Sequence, residues 1–301
     1  MCKHAWGAGR GARDAGRGGL TGARSSLAVS RVEDSPFGFR RHSAFTLVEM
    51  MVVIVIIMIL VGLLTPVLVN VMARAREARI TAEIAALDGS MKAYKEKYGS
   101  YPPSDFSSTG MPLVIAHLAH AFPHCNANTE AAAIPSGLTA AQALVFWLSG
   151  FSPDPEHPIT GQGAKTALYQ FDTTRLQPAG AAAPVYVPTD GLGSPYVYFA
   201  AQNYATQAAY NTVSANQGGT GVCRPYYLDT GSSTVSPQLL YANPNTFQII
   251  SAGLDGDFGD TSASSTPSPY PSYPSGNGYT QGDLDNLTNF APSNLKDSTP
   301  H

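Results

Sequence analysis

A long apolar run near the N-terminus dominates the hydrophobic pattern of the chain. Residues 50–64 are uncharged and apolar, and the run resumes after Thr65-Pro66 and continues to Ala73. At about 1.5 Å per residue, a helix over residues 50–73 exceeds the ~30 Å hydrocarbon core of a bilayer. The pattern therefore predicts one membrane-spanning helix.

The helical pattern continues beyond this run but becomes amphipathic. Apolar residues recur at helical steps and form one stripe, which comprises Ile80, Ile84, Leu87, Met91, Tyr94 and Tyr98. Charged residues lie between them, and Gly99 with Pro102 and Pro103 ends the helix. We predict a single helix over residues 45–98, with its first half in lipid and its second half packed on a soluble domain. Pro66 is expected to kink or loosen it.

Shorter signals follow residue 103. Leu138, Ala141, Val145 and Leu148 predict a short helix that ends at Gly150. Apolar and aromatic runs bounded by Gly and Pro predict strands at 168–171, 185–187, 196–199 and 247–250, and 261–282 has the composition of a loop. Together these elements predict an α+β, pilin-like fold in which the long N-terminal helix packs on a small antiparallel β-sheet.

Composition narrows the class of protein. Only 13% of residues are charged, and 29 glycines and 23 prolines exclude a compact helical bundle. The formal net charge is −3 although residues 1–44 are rich in arginine, so the rest of the chain is acidic, which argues against nucleic-acid binding. Cys2, Cys125 and Cys223 are too few for a disulfide scaffold, and a Cys125–Cys223 bond stays open.

These patterns divide the chain into successive segments. They are a cleaved leader (1–44), a transmembrane segment (45–73), an amphipathic helix with its exit turn (74–103), a long variable insert with a short helix (104–188) and a C-terminal β-region (189–301). Arginines flank the apolar run on both sides, so the positive-inside rule does not decide its orientation.

One carboxylate lies at the head of the apolar run. An unpaired charge such as that of Glu49 costs about 3 kcal/mol at the centre of a membrane helix. A cut between Ala44 and Phe45 would create an α-amino group, and the amine of a neighbouring subunit could neutralise Glu49 as helices pack into a bundle. The alternative is that Glu49 lies among the lipid headgroups and needs no partner.

The sequence Ala-Phe-Thr-Leu-Val-Glu at 44–49, followed by the apolar run, resembles the signal of type IV prepilins. The resemblance implies cleavage before Phe45 by prepilin peptidase and N-methylation of Phe45. It also places Glu49 and Pro66 at the family's assembly glutamate and helix-loosening proline. Ala44 departs from the glycine that usually precedes the cut.

Residues 189–198, 250–256 and 285–290 resemble segments of the major pseudopilins of type II secretion, although Leu192 and Phe290 stand where tryptophan is usual. The resemblance implies a subunit that self-assembles into a helical periplasmic filament. Its implied partners are prepilin peptidase, the inner-membrane secretion machinery, minor pseudopilins and the membrane, with no nucleic acid. It would span the inner membrane once, with its C-terminal body in the periplasm.

The same resemblance implies a calcium loop. Asp255 and Asp285 match the family's positions best, Asp283 follows, and Asp257 and Asp260 are second choices. Calcium takes about 6–8 oxygen ligands, which loop carboxylates and carbonyls can supply. The alternative is a solvated acidic turn.

Other classes share part of this pattern. A type IV pilin-like subunit of a surface or DNA-uptake filament carries the same signal, and a conventional secreted protein cut after Ala75 would begin at Arg76. A membrane-tethered enzyme is disfavoured because no catalytic constellation is visible, and we expect no enzymatic activity. The triplet His117, His120 and His124 has helical spacing that suits a metal, but Pro123 interrupts it, which favours a loop.

Overall fold

The computed structural model describes residues 45–178, 180–189, 193–207, 209–211, 220–229, 240–259 and 271–300. The chain divides into two compact units, residues 1–56 and 57–301. The predictions for the leader and Ala44 lie outside the described residues, as do those for Leu192, Asp260 and residues 261–270 of the expected loop.

Helix α1 spans Leu47–Tyr98, 52 residues, and confirms the long N-terminal helix. The helix continues through Pro66, where the Thr65 hydroxyl donates a 2.7 Å hydrogen bond to the Val61 carbonyl. Every large apolar side chain between Phe45 and Met72 is exposed. The second half buries the predicted stripe, which comprises Ile80, Ile84, Leu87, Met91, Tyr94 and Tyr98.

The segment expected to hold one short helix holds three. Helix α2 spans Met111–Ala121, α3 spans Ala127–Ala132, and α4 spans Ala140–Leu148. Helix α4 is the predicted one, and a reciprocal capping box between Thr139 and Gln142 starts it. The sequence analysis missed α2 and α3, and the Asn126 side chain caps the second of these.

A short hairpin completes this region, with β1 at Leu176–Gln177 antiparallel to β2 at Val185–Tyr186. The predicted strand at 168–171 is wrong. The backbone N–H groups of Leu168 and Tyr169 both donate to the Leu148 carbonyl at the end of α4, so this segment forms a loop instead of a strand ladder.

The central sheet has the order β3-β7-β9, with β3 at Val197–Ala200, β7 at Phe247–Ser251 and β9 at Leu287–Thr288. Both pairings are antiparallel, and the two longer strands match the predicted ones at 196–199 and 247–250. Apolar side chains on one face of the two longer strands join α1 and α4 in one core, and those on the other face belong to a second core. The α+β fold with a small antiparallel sheet is therefore confirmed.

Short elements surround this sheet. Strands β4 (Tyr210–Asn211) and β5 (Val222–Cys223) pair antiparallel. Strands β6 (Tyr227–Leu228) and β8 (Ser272–Tyr273) pair in parallel, which the predicted antiparallel arrangement did not include. Helix α5 (Leu295–Ser298) follows the Asn294 cap.

Candidate functional site

The Thr46–Glu49 pair forms the start of α1. The backbone N–H and the hydroxyl of Thr46 donate to Oε2 of Glu49, at 2.7 and 2.9 Å, and the N–H of Glu49 donates to Thr46 Oγ1 at 3.2 Å. This reciprocal capping box satisfies N–H groups that an α-helix leaves free in its first turn. Glu49 and the preceding Phe45 are both exposed. Among the described residues, the hydrogen bonds to Glu49 all fall on Oε2.

The apolar part of α1 is long and apolar enough to cross a membrane. Pro66 lies within it and has no N–H, so the carbonyl four residues earlier, at Gly62, loses its usual intrahelical donor. A Cβ at Gly62 would meet nothing within 4 Å. The described part of the chain therefore has one helix that is long and apolar enough to cross a membrane, and its hydrogen-bond ladder is locally weakened at Pro66.

Two of the predicted calcium ligands lie side by side. Oδ2 of Asp285 accepts hydrogen bonds from the N–H groups of Leu254, at 2.8 Å, and Asp255, at 3.1 Å. Burial and the neighbouring Asp285 carboxylate raise the pKa of Asp255 to about 6, and burial also raises the pKa of Asp285. Oδ1 of Asp285 is buried and, within the described residues, has no hydrogen-bond partner. A cation bound here would reduce the repulsion between the two carboxylates and would give Oδ1 of Asp285 a partner.

Gly253 makes this approach possible. Its φ is +63°, and a Cβ at this position would collide with the backbone carbonyl and the carboxylate of Asp285. Only glycine accepts both the left-handed backbone and the contact.

Asp283, the third predicted ligand, is buried and committed to other partners. Its Oδ1 accepts a hydrogen bond from the Tyr226 hydroxyl at 2.6 Å, and its Oδ2 accepts from the N–H and hydroxyl of Thr280 at 2.7 Å. Oδ1 of Asp257 accepts from the Gly259 N–H at 3.0 Å. The described residues contain no group of three or more His, Cys, Asp or Glu side chains that could hold a metal. Any cation at Asp255 and Asp285 would therefore need backbone carbonyls or water as further ligands.

A cluster of polar side chains around the Glu83 carboxylate connects α1 to the β1–β2 hairpin region. The sequence analysis missed this cluster. Arg175 donates to both carboxylate oxygens of Glu83 at 2.6 Å, and the hydroxyls of Tyr186 and Tyr196 donate to the same carboxylate at 2.9 and 2.6 Å. Burial alone would raise the pKa of Glu83, but these hydrogen bonds hold it below its ordinary value. Glu83 directly precedes Ile84 of the buried stripe, which is the signal that could have identified it.

A buried histidine lies between α1 and α2. His117 is in α2, not in the loop we predicted, because the helix ends only at Ala121. Its Nε2 lies 2.8 Å from the Tyr94 hydroxyl and its Nδ1 lies 3.1 Å from the Ser100 hydroxyl. Burial and then the charge of His120 lower the pKa of His117 to about 4. Its contacts assign it to core packing between two helices.

The disulfide left open by the sequence does not form. Cys125 is half-buried and free, and Cys223 is buried and free. Burial raises the pKa of both thiols, which keeps them protonated and unreactive at neutral pH.

Comparison with known proteins adds an independent observation on the N-terminal segment. Residues 39–65 match the family described as the prokaryotic N-terminal methylation motif. The chain is also 39% identical over 66 residues to the type II secretion system core protein G of Aeromonas hydrophila, a match that covers 22% of this chain and 46% of the relative. The chain thus spans about half the length of this curated relative. No solved structure matches the chain. The chain carries a prepilin-type N-terminus and resembles type IV pilin-like proteins and pseudopilins.

Proposed function

We propose that the chain is a structural pseudopilin subunit of a type II secretion system. Prepilin peptidase cuts between Ala44 and Phe45 and methylates the new N-terminus. Residues 45–73 hold the subunit in the inner membrane, with the body in the periplasm, until it is assembled into a filament that drives protein export. The observation that carries this proposal is the methylation motif at 39–65, which spans the cut and includes Glu49.

The exposed surface of α1 supports assembly in two environments. Apolar side chains from Phe45 to Met72 have no cover in the described part of the chain. A surface of this size is stable only against lipid or against other apolar surfaces. In the membrane, lipid covers this apolar surface. In the filament, the same helix of neighbouring copies covers it.

Glu49 provides the polar contact that sets the register between copies. In the single subunit the Thr46 N–H and hydroxyl partly neutralise the carboxylate from within the same helix. In the filament the methylated amine of a neighbouring Phe45 becomes its charged partner. An ion pair in an apolar surrounding is favourable only when both charges meet, so a subunit that docks out of register leaves two buried charges unpaired.

Calcium is the cofactor that we propose for the C-terminal loop. Asp255 and Asp285 are adjacent and share a raised pKa, and Oδ1 of Asp285 is an orphaned buried oxygen. A divalent cation would neutralise the paired carboxylates and give the orphaned oxygen a partner. A bound cation would join the loop after β7 to the segment before β9. We propose that Asp283 acts beside this pair by supporting the loop through Tyr226 and Thr280.

Mass spectrometry of the mature N-terminus tests the proposal. The full chain is co-expressed with a prepilin peptidase, and the purified product is digested and sequenced. We expect a chain that begins at N-methylated Phe45, and we expect the leader to remain attached when the peptidase is absent or when Phe45 is changed to Asp. A product that begins at Arg76 would show a conventional signal peptide and would contradict the proposal.

The cellular site of the filament separates secretion from the related surface filaments. The match to a type II secretion protein favours the secretion role. We expect deletion of the gene to stop the export of type II substrates and leave surface pili intact. Loss of surface pili or of DNA uptake, with export unchanged, would favour the pilin-like alternative.

A further inference from the structure

The lysine-bearing end of α1 borders a cleft with a polar lining. The cleft has a volume of about 410 Å³. Its walls come from the end of α1, the turn after β3 and the turn before β7, and the polar lining comprises Lys95, Ser100, Tyr101, Gln202, Asn245 and Thr246. The ammonium group of Lys95 lies 4.8 Å from the centre of the Tyr101 ring, so the ring keeps the cation at the wall of the cleft.

The exposed charges at this end of α1 are mainly positive. Lys95 and Lys97 are exposed, as is the acidic Glu96, whereas the exposed Lys92 is paired with Asp88 at 2.5 Å. Asp88 also accepts a 3.0 Å hydrogen bond from Asn289, and Glu83 is held by Arg175. A carboxylate that enters the cleft would therefore meet one ammonium group and several amide and hydroxyl donors.

The acidic part of the same body lies beside an earlier part of α1 than the Lys95 cleft does. Between Arg224 and Lys296 the sequence has no lysine or arginine, and its charged residues are Asp229, Asp255, Asp257, Asp260, Asp283 and Asp285. Asn294 donates a 3.5 Å hydrogen bond to Glu77, and the N–H of the next residue, Leu295, donates to the Asn286 carbonyl at 3.1 Å. The segment that follows Asp285 therefore lies beside the start of the amphipathic half. Glu77 and Lys95 are separated by about 27 Å along the helix.

We propose that the turn at Asp255–Asp257 of one subunit, in which Asp255 is exposed and Asp257 is half-buried, docks into the Lys95 cleft of a second copy. This inference rests on the filament assembly proposed above, and it names the contact between the bodies. The two patches differ and lie at different levels of one helix, so the contact is head-to-tail, and a head-to-tail contact that does not close on itself builds a filament. The segment stays acidic with calcium bound, since one divalent cation cannot neutralise all of its aspartates. Opposite charges steer the copies together and select this orientation.

Cysteine cross-linking in assembled filaments tests the contact. Asn245→Cys and Asp257→Cys are placed together in a full chain that carries Cys125→Ser, and the protein is processed and assembled in cells that supply the secretion machinery. Oxidation is expected to give a ladder of dimers, trimers and larger species. A chain with one of the two introduced cysteines is expected to stay monomeric, because a head-to-tail contact joins two different surfaces and the remaining Cys223 is buried. Dimers from a chain with one introduced cysteine would show a symmetric contact and overturn the proposal.

Charge reversal is an independent measurement if the cysteine pair disturbs folding. Lys95→Glu is expected to lower the filament yield at least about tenfold, Asp257→Lys to do the same, and the two together to restore assembly. Lys165→Glu, an exposed reversal in the insert, is the matched control. Filaments of the parent chain with neither ladder nor rescue would overturn this contact and leave the pseudopilin function standing. A parent chain that forms no filament would overturn both.

Discussion

The two halves of α1 have similar helical geometry but different partners. Residues 45–73 expose their apolar side chains all around the helix, and the polar Glu49 is bonded only to the nearby Thr46 among the described residues. Residues 74–98 expose one face and bury the other, and their acids Glu83 and Asp88 are bonded to side chains far away in the sequence, Asp88 also to the nearby Lys92.

The difference shows where each half obtains its stability. The second half is stabilised by its own chain, so substitutions there should change the free energy of unfolding of the body. The first half depends on lipid and on other copies, so substitutions there should change insertion or assembly and leave the body unaffected.

Removal of the Glu83 carboxylate should have the largest effect on the body. Glu83→Ala leaves two tyrosine hydroxyls without their acceptor and leaves Arg175 with the Val187 carbonyl alone. Because the ion pair is half-buried, we expect a cost of about 3 kcal/mol, the lower end of the range for fully buried pairs. The measurement is urea unfolding of the processed chain in detergent, followed by the fluorescence of Trp147, the tryptophan that remains after leader removal. Glu96→Ala, at an exposed position of the same helix, should have little effect. Equal stabilities of the two variants would contradict the role of this cluster.

Acid should weaken the body through His117. Its pKa is about 4 in the folded protein against ~6.5 when unfolded, so the unfolded state binds more protons between these values. The contribution of His117 to the free energy of unfolding is therefore fully present above pH 6.5. It falls as the pH drops to 4, by about 3 kcal/mol in total. Unfolding curves at several pH values should show a shallower dependence for His117→Asn. The exposed His124→Asn should keep the parent slope. An unchanged slope in His117→Asn would disprove the assignment.

Removal of calcium should have an intermediate effect. A cation present at about 100 times its dissociation constant stabilises the folded state by about 2.7 kcal/mol. Added calcium should raise the melting temperature of the parent chain and leave that of Asp285→Asn unchanged. Glu156→Gln, an exposed substitution in the insert, should respond like the parent. A parent chain that does not respond to calcium would leave the Asp255–Asp285 pair as an acidic turn.

Gly89→Ala should stabilise the body slightly. Gly89 is exposed in the amphipathic half, and a Cβ there would meet nothing within 4 Å. Alanine in a helix interior is favoured over glycine by about 1 kcal/mol. The same unfolding assay should detect the gain. Gly62→Ala in the apolar half should leave the free energy of unfolding of the body unchanged. A gain from Gly62→Ala equal to that from Gly89→Ala would contradict the difference between the halves.

The sequence was most informative where one periodicity runs for many residues. The stripe from Ile80 to Tyr98 and the strands β3 and β7 were predicted because burial on one face or on both leaves a repeated pattern. Helices α2 and α3 are short and lack charged residues that would mark a solvent face, apart from the buried Glu130. Their alanines fit helix, loop or core equally well.

The residues of the candidate site also differ in how far the sequence could predict them. Glu49 and the Asp255–Asp285 pair were predicted because short segments around them resemble a known family. The cluster of Glu83 with Arg175 joins residues far apart in the chain, and no local pattern shows which distant donor an acid will meet. Likewise, the spacing of the histidines could not show that His117 would be buried against α1, because that depends on how the helices pack.

Glu49→Gln tests the division of α1 most directly. The variant keeps the shape of the side chain but removes the charge that a neighbouring Phe45 amine would pair with. The measurement is the filament yield of parent and variant after shearing, alongside cleavage at Phe45 and urea unfolding of the body. We predict normal cleavage, an unchanged free energy of unfolding and loss of filaments. Normal filament yield in the variant, or a body that unfolds more easily, would contradict the account.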